Sequence, residues 1–183
     1  MQDHAALGEL LGQTIAALEV KDIERSYASL DLFWARLAMH IRAEHLHLFP
    51  AISDAVVETR NEDTPSPADV QSAIEELRHD HDFFMRELSQ AVLTLRGLLA
   101  NAGVAVVGTL EDIRKRIDAV DARLVKHNKI EEQGIYLWIG SLLSDGEQLT
   151  LAASVKKELE NIPPRFGALP VNPDNFDNRV TSG

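Results

Sequence analysis

Two segments interrupt apolar helical runs in the same way. "HIRAEHLHLFP" carries His40-x-x-x-Glu44, and "HNKIEEQGIYL" carries His127-x-x-x-Glu131. Residues i and i+4 share one face of a helix, a turn apart. Each pair therefore points into one space, on a face otherwise built of Leu, Ile and Phe. Bare imidazoles and carboxylates are costly to bury there. A fold that buries these faces has to bring compensating groups to the same level.

Apolar residues recur at intervals of three and four along most of the chain, the pattern of amphipathic helices. The spacing predicts a first helix from Asp3, a candidate N-cap, to Val20, with His4, Leu7, Leu11, Ile15 and Leu18 inward. Asp22 restarts a second helix, with Leu30, Phe33, Leu37, His40, Ile41, Glu44 and Leu48 on one face; Pro50 should kink or end it, with a further turn through "AISDAVVE". "TRNEDTPSPAD" reads as a loop. A third helix follows over 68–99, with Val70, Ile74, Leu77, His81, Phe84, Leu88, Val92 and Leu95 inward. "NAGVAVVG" is a connection without a phosphate-loop lysine. Thr109 caps a fourth helix that reaches Leu143, with Leu110, Ile113, Val120, Leu124, His127, Glu131, Ile135 and Trp138 inward. A shorter fifth helix spans 146–161, and the remainder is a Pro- and Asn-rich tail that packs Phe166 and Phe176 or stays loose. The expected fold is all-α: an up-down-up-down four-helix bundle over residues 1–145, with 146–183 as a C-terminal helix and tail packed on it or trailing it.

The two halves of such a bundle repeat one another. Each has an Asp-His on one helix, in "DHAALGEL" (His4) and "DHDFFMREL" (His81), and a His-x-x-x-Glu on the next. Counted outward from each connection at about 1.5 Å per residue, His4, His40, Glu44, His81, His127 and Glu131 come to one level within a turn or two. Metal ions offset the burial cost by taking the nitrogen and oxygen lone pairs. Imidazole and carboxylate without sulfur suit iron, manganese or zinc. Six side chains exceed one tetrahedral site, whereas two ions bridged by Glu44 and Glu131, with an exogenous oxygen between them, would use all six.

Composition removes several other readings. The formal charge of -11 leaves no basic surface for nucleic acid, and the most basic stretch, "EDIRKRIDAVDARLVK", is interleaved with acids. The chain has no cysteine, which excludes disulfides, thiolate metal sites and a thiol nucleophile. "MQDHAALGEL" lacks a basic n-region, and no apolar run is long enough to cross a bilayer, so a cytoplasmic protein away from membranes is expected.

The four segments together, over about residues 3–143, resemble the hemerythrin-like HHE cation-binding family: a His on the first helix, His-x-x-x-Glu followed by Leu-Phe-Pro on the second, a His on the third and His-x-x-x-Glu on the fourth. The resemblance implies a non-haem di-iron centre, oxo- or hydroxo-bridged, with His4, His40, His81 and His127 as terminal ligands and Glu44 and Glu131 as bridges. It implies binding or sensing of dioxygen or a related small molecule. The alternative is a di-iron enzyme for peroxide or nitric-oxide detoxification or iron–sulfur repair. No redox partner is named by the sequence, and a monomer and a homodimer both fit. The chain departs from oxygen-carrying members on the third helix, where the positions four from His81 are Leu77 and Met85 rather than a second His.

Three further histidines need placing. His45 and His79 face away from their neighbours Glu44 and His81 and are expected at the surface. His47 shares the face of His40 and Glu44, and its counterpart in the repeat is Gly134, so it stays open as a further ligand. Asp80 and Glu132 are expected beside the site or facing solvent rather than on the metal.

Overall fold

The computed structural model describes residues 2–59, 64–100 and 106–166. Among these the structure is helical, with no strand. Helices α1 (Gln2–Glu19) and α2 (Ile23–Ala43) are followed by a π-turn at Glu44–Leu48 that leads into α3 (Phe49–Glu58). Helix α4 is Pro67–Ala100 and α5 is Val106–Ile130; a second π-turn at Glu131–Ile135 leads into α6 (Tyr136–Leu142). Helix α7 (Asp145–Leu159) and a 3₁₀ turn at Pro164–Phe166 complete the described chain. No helix of the described residues is long and apolar enough to cross a membrane.

Local chemistry sets most of the ends. Asp22 caps α2 by accepting from the Arg25 N–H at 3.0 Å. Pro67 opens α4, where its missing N–H is not needed, and Ser66 and Asp69 hydrogen-bond reciprocally across that first turn. A capping box of Ser144 and Glu147 starts α7. Two ends differ from the sequence reading. Asp3 lies inside α1 instead of capping it, because its carboxylate is taken by His40. The fourth long helix starts at Val106, ahead of Thr109. Pro50 does not end its helix: it sits in the first turn of α3, where a missing N–H costs least.

Helix α1 packs on α2 and α5, and α4 packs on α2 and α5. Their apolar faces form two clusters. One contains Leu11, Leu30, Phe33, Leu37, Phe84, Leu88, Leu95, Ile113 and Val120. The other contains Leu48, Phe49, Ile52, Val70, Ile74, Leu77 and Ile135. Each stretch of chain that leads from one cluster to the other does so through buried polar residues: His40 and Glu44 between Leu37 and Leu48, Asp80 and His81 between Leu77 and Phe84, His127 and Glu131 between Val120 and Ile135. A polar layer is thereby closed off by hydrocarbon on both sides. The expected inward faces are buried, with Ile15, Leu124 and Trp138 only partly so. Thr14 is fully buried as well, because its hydroxyl bonds to Leu10 O and to Ser29 Oγ, each at 3.0 Å.

Helix α7 lies against α2 and the first π-turn, with Arg42 paired to Glu158 at 3.2 Å. Phe166 is buried, and its neighbour Arg165 pairs with Asp31 at 2.9 Å. Phe176 lies outside the described residues.

The α1–α2 corner reverses the chain at Lys21, whose φ is 59°. The N–H of Asp22 bonds to Ala17 O at 3.0 Å and that of Lys21 to Leu18 O at 3.1 Å, the pattern of a helix closed by a left-handed residue. A side chain in that conformation costs about 1–2 kcal/mol that glycine avoids, less glycine's greater loss of backbone entropy. Lys21→Gly should therefore stabilise the protein by about 0.5–1 kcal/mol in urea unfolding; a loss of stability would contradict this reading of the corner.

Candidate metal centre

The six side chains singled out in the sequence meet in the polar layer. His4 (α1), His40 (α2), Glu44 (first π-turn), His81 (α4), His127 (α5) and Glu131 (second π-turn) are all buried, Glu44 to 3 % and Glu131 to 0 % exposure.

The two carboxylates divide their oxygens. Glu44 turns Oε1 to His40 Nε2 and Oε2 to His81 Nε2, each at 3.1 Å. Glu131 turns Oε2 to His4 Nε2 and Oε1 to His127 Nε2, each at 2.9 Å. The rings pair in the same way, with His4 and His40 centroids 5.1 Å apart and His81 and His127 centroids 4.8 Å apart. Two places result: His4 and His40 with one oxygen from each carboxylate, and His81 and His127 with the other two. Each could hold a metal ion, as Glu44, His81, His127 and Glu131 in one and His4, His40 and Glu131 in the other show by the mutual closeness of their donor atoms.

The outer nitrogens explain why the inner ones converge. His40 Nδ1 donates to Asp3 Oδ2 at 2.8 Å and His127 Nδ1 to Asp80 Oδ2 at 3.2 Å. Asp80 is in turn held by Arg123. His4 Nδ1 faces Glu132 at 3.3 Å, and His81 Nδ1 meets His45 Nε2 at 2.9 Å. A proton on Nδ1 leaves Nε2 as a lone pair in the neutral ring, so all four rings present Nε2 to the centre. The Nε2 atoms of His81 and His127 lie 3.2 Å apart, a distance at which two lone pairs repel unless a proton or a cation stands between them. All four carboxylate oxygens are buried without an aligned hydrogen-bond donor, although an imidazole nitrogen lies near each. Close approach without hydrogen-bond alignment is the geometry of atoms directed at a shared third point. Orphaned buried carboxylates, sulfur-free donors and oriented imidazoles fit metal ions.

Both π-turns begin at a carboxylate of the centre. The Phe49 N–H bonds to Glu44 O and the Tyr136 N–H to Glu131 O, which adds one residue to each turn. Such insertions are frequent at functional sites. A reading at a constant 3.6 residues per turn does not detect them.

The remaining histidines fall as follows. His79 is exposed. His45 is exposed as expected, but its ring also reaches back to support His81. His47 is not among the converging donors; it lines a groove with Leu46, Asp54, Leu142 and Leu151 between α3 and α7. At Gly134, the counterpart of His47 in the repeat, a side chain would meet the Trp138 ring at 3.5 Å. Leu77 belongs to the apolar core, so α4 gives one histidine to the centre.

Comparison of the chain with protein-family models, with curated proteins and with solved structures gives no match in any of the three.

Without a cation, the centre stores its charge as protons. Burial opposes charge on the His40 ring, but Glu44 and the bond to Asp3 outweigh it and hold the pKa well above the usual imidazole range. Burial likewise opposes charge on His127, and Glu131 reverses it. Burial pushes the Glu44 carboxyl up, but His40 more than compensates and holds it well below the usual carboxylate range. Burial, then Glu131 and Glu44, push the Tyr136 phenol up. A raised His40 pKa stabilises the fold below the unfolded imidazole pKa, and this is lost as pH rises through the folded value; a lowered Glu44 pKa stabilises above the unfolded carboxyl pKa, and this is lost as pH falls through the folded value. Metal-free protein should therefore lose stability on going from neutral to alkaline pH. Metal binding needs neutral rings and releases their protons, so apparent affinity should rise over the same interval. Thermal unfolding of metal-free protein and a manganese titration, each at neutral and alkaline pH, check both signs; parallel trends would contradict the account.

Proposed function

We propose that this chain is a hemerythrin-like four-helix bundle, formed by α1, α2, α4 and α5, whose centre holds two iron ions and binds or senses dioxygen or a related small molecule. The observation that carries the reading is the division of oxygens: each of Glu44 and Glu131 faces a different imidazole with each oxygen, which is what two bridged ions require and one ion does not. His4 and His40 would hold one ion, His81 and His127 the other, and the two glutamates would span both.

Two reduced irons, held by His4, His40, His81, His127, Glu44 and Glu131, would supply the electrons that a diatomic ligand needs. The chain does the rest. Asp3, Asp80, Glu132 and His45 fix the rings with Nε2 inward, so that the donors need little reorganisation. The two apolar clusters exclude water and slow the loss of ions. On the His81 and His127 side, Phe49 stacks on His81 at 6.1 Å and the edge of Phe84 meets His127 at 5.2 Å. A small apolar ligand would meet hydrocarbon there rather than competing donors.

Protein prepared with iron(II) in the absence of oxygen should contain about two irons per chain. Exposure to dioxygen should change its optical spectrum, and removal of the gas should restore it. Consumption of peroxide with turnover, in place of a reversible spectrum, would turn the same centre into an enzyme. No iron uptake, with folding unaffected by His127→Ala, would overturn the proposal.

A further inference from the structure

The two halves of the chain part company one residue beyond each π-turn. The residue whose N–H closes the first turn is Phe49, and the one that closes the second is Tyr136. The extra residue in each turn brings this fifth position back over its glutamate. Phe49 has no polar atom and stacks on His81. Tyr136 brings its hydroxyl to 3.3 Å from His4 Nε2, the same nitrogen that faces Glu131 Oε2 at 2.9 Å. Its ring is tilted by 35° against that of His4, with centroids 5.9 Å apart.

That hydroxyl-to-nitrogen separation of 3.3 Å is just longer than the other spacings of the centre, which run from 2.9 Å between His127 and Glu131 to 3.2 Å between the Nε2 atoms of His81 and His127. Atoms bound to one ion at about 2.0–2.2 Å stand about 3 Å apart when at right angles. Each glutamate turns one oxygen to each place, but the donor atoms gather unequally: Glu44, His81, His127 and Glu131 all lie close to one another on one side, whereas on the other only His4, His40 and Glu131 do, with Glu44 set further from that group. A hydroxyl already stands at the poorer one.

We propose that Tyr136 is a seventh protein donor, binding through its phenol oxygen the ion held by His4 and His40. The phenol O–H releases its proton to solvent as the oxygen–iron(III) bond forms, and no electron is transferred. The two ions are then unlike. The His4–His40 ion is filled by protein, and the His81–His127 ion, beside Phe49, keeps the position at which a small ligand enters. This inference rests on the di-iron reading above and makes it specific: it says which ion is open.

The chain has two tyrosines, so the experiment has its own control. Full-length protein loaded with iron and oxidised to iron(III) should show a phenolate-to-iron charge-transfer band in the visible, with tyrosine ring modes enhanced in resonance Raman excited into it. Tyr136→Phe should retain about two irons and lose the band completely, and Tyr27→Phe should keep it. Mössbauer spectra should show two unequal doublets; Tyr136→Phe should move one, and azide, as a small anionic probe, the other. Wild-type protein with its full iron content and no phenolate band would overturn the tyrosine assignment alone, and so would an unchanged spectrum in Tyr136→Phe. Should that variant fail to fold, the wild-type Raman spectrum decides by itself. A wild-type chain that takes up no iron would overturn the tyrosine assignment and the di-iron reading together.

Discussion

Two carboxylates buried between apolar clusters, paired with no lysine or arginine among the described residues, govern the rest of this molecule. Glu44 and Glu131 leave four oxygens in a buried layer without aligned donors. Left as anions they would oppose folding by several kcal/mol. Four imidazoles converge on them from four helices, and each ring is turned by a partner behind it. Protons balance this layer when no ion is present. Metal ions balance it better, because a divalent cation accepts lone pairs from both kinds of ligand and leaves nothing buried unpaired.

That constraint accounts for features with no other evident cause. Each helical path through residues 40–58 and 127–142 widens by one residue at its glutamate, and so holds the carboxylate to the centre while the following apolar residues rejoin the second core cluster. Asp3 gives up a capping position for a bond to His40. Asp80 is buried only because His127 and Arg123 hold its two oxygens. The repeat also shows where symmetry stops. Phe49 and Tyr136 occupy equivalent places with different chemistry, and α4 gives the centre one histidine, with Leu77 four residues before it in the apolar core.

Much of this was legible in the residues. A period of 3.6 located the long helices, and the paired His-x-x-x-Glu spacings located four of the converging side chains, because both depend on regular geometry along one helix; His4 and His81 came from the Asp-His repeat and the count of residues outward from each connection. What escaped depends on contact between helices or on departure from regularity. The support that His45 gives to His81 crosses from the first π-turn to α4, so the angular position of His45 on its own helix pointed it to solvent. The same angular argument assigned His47 to the face of His40, but the widened turn rotates it into the groove beside α7. Tyr136 drew no attention because five residues separate it from Glu131, a spacing that aligns side chains only when a turn is widened.

The most direct test of the centre is where ions settle. A crystal of iron-loaded protein, with anomalous differences measured across the iron edge, should show two peaks about 3.5–4 Å apart, one between His4 and His40 and one between His81 and His127, with Glu44 and Glu131 each reaching both. A single peak, or iron bound only at the exposed acids, would contradict the account.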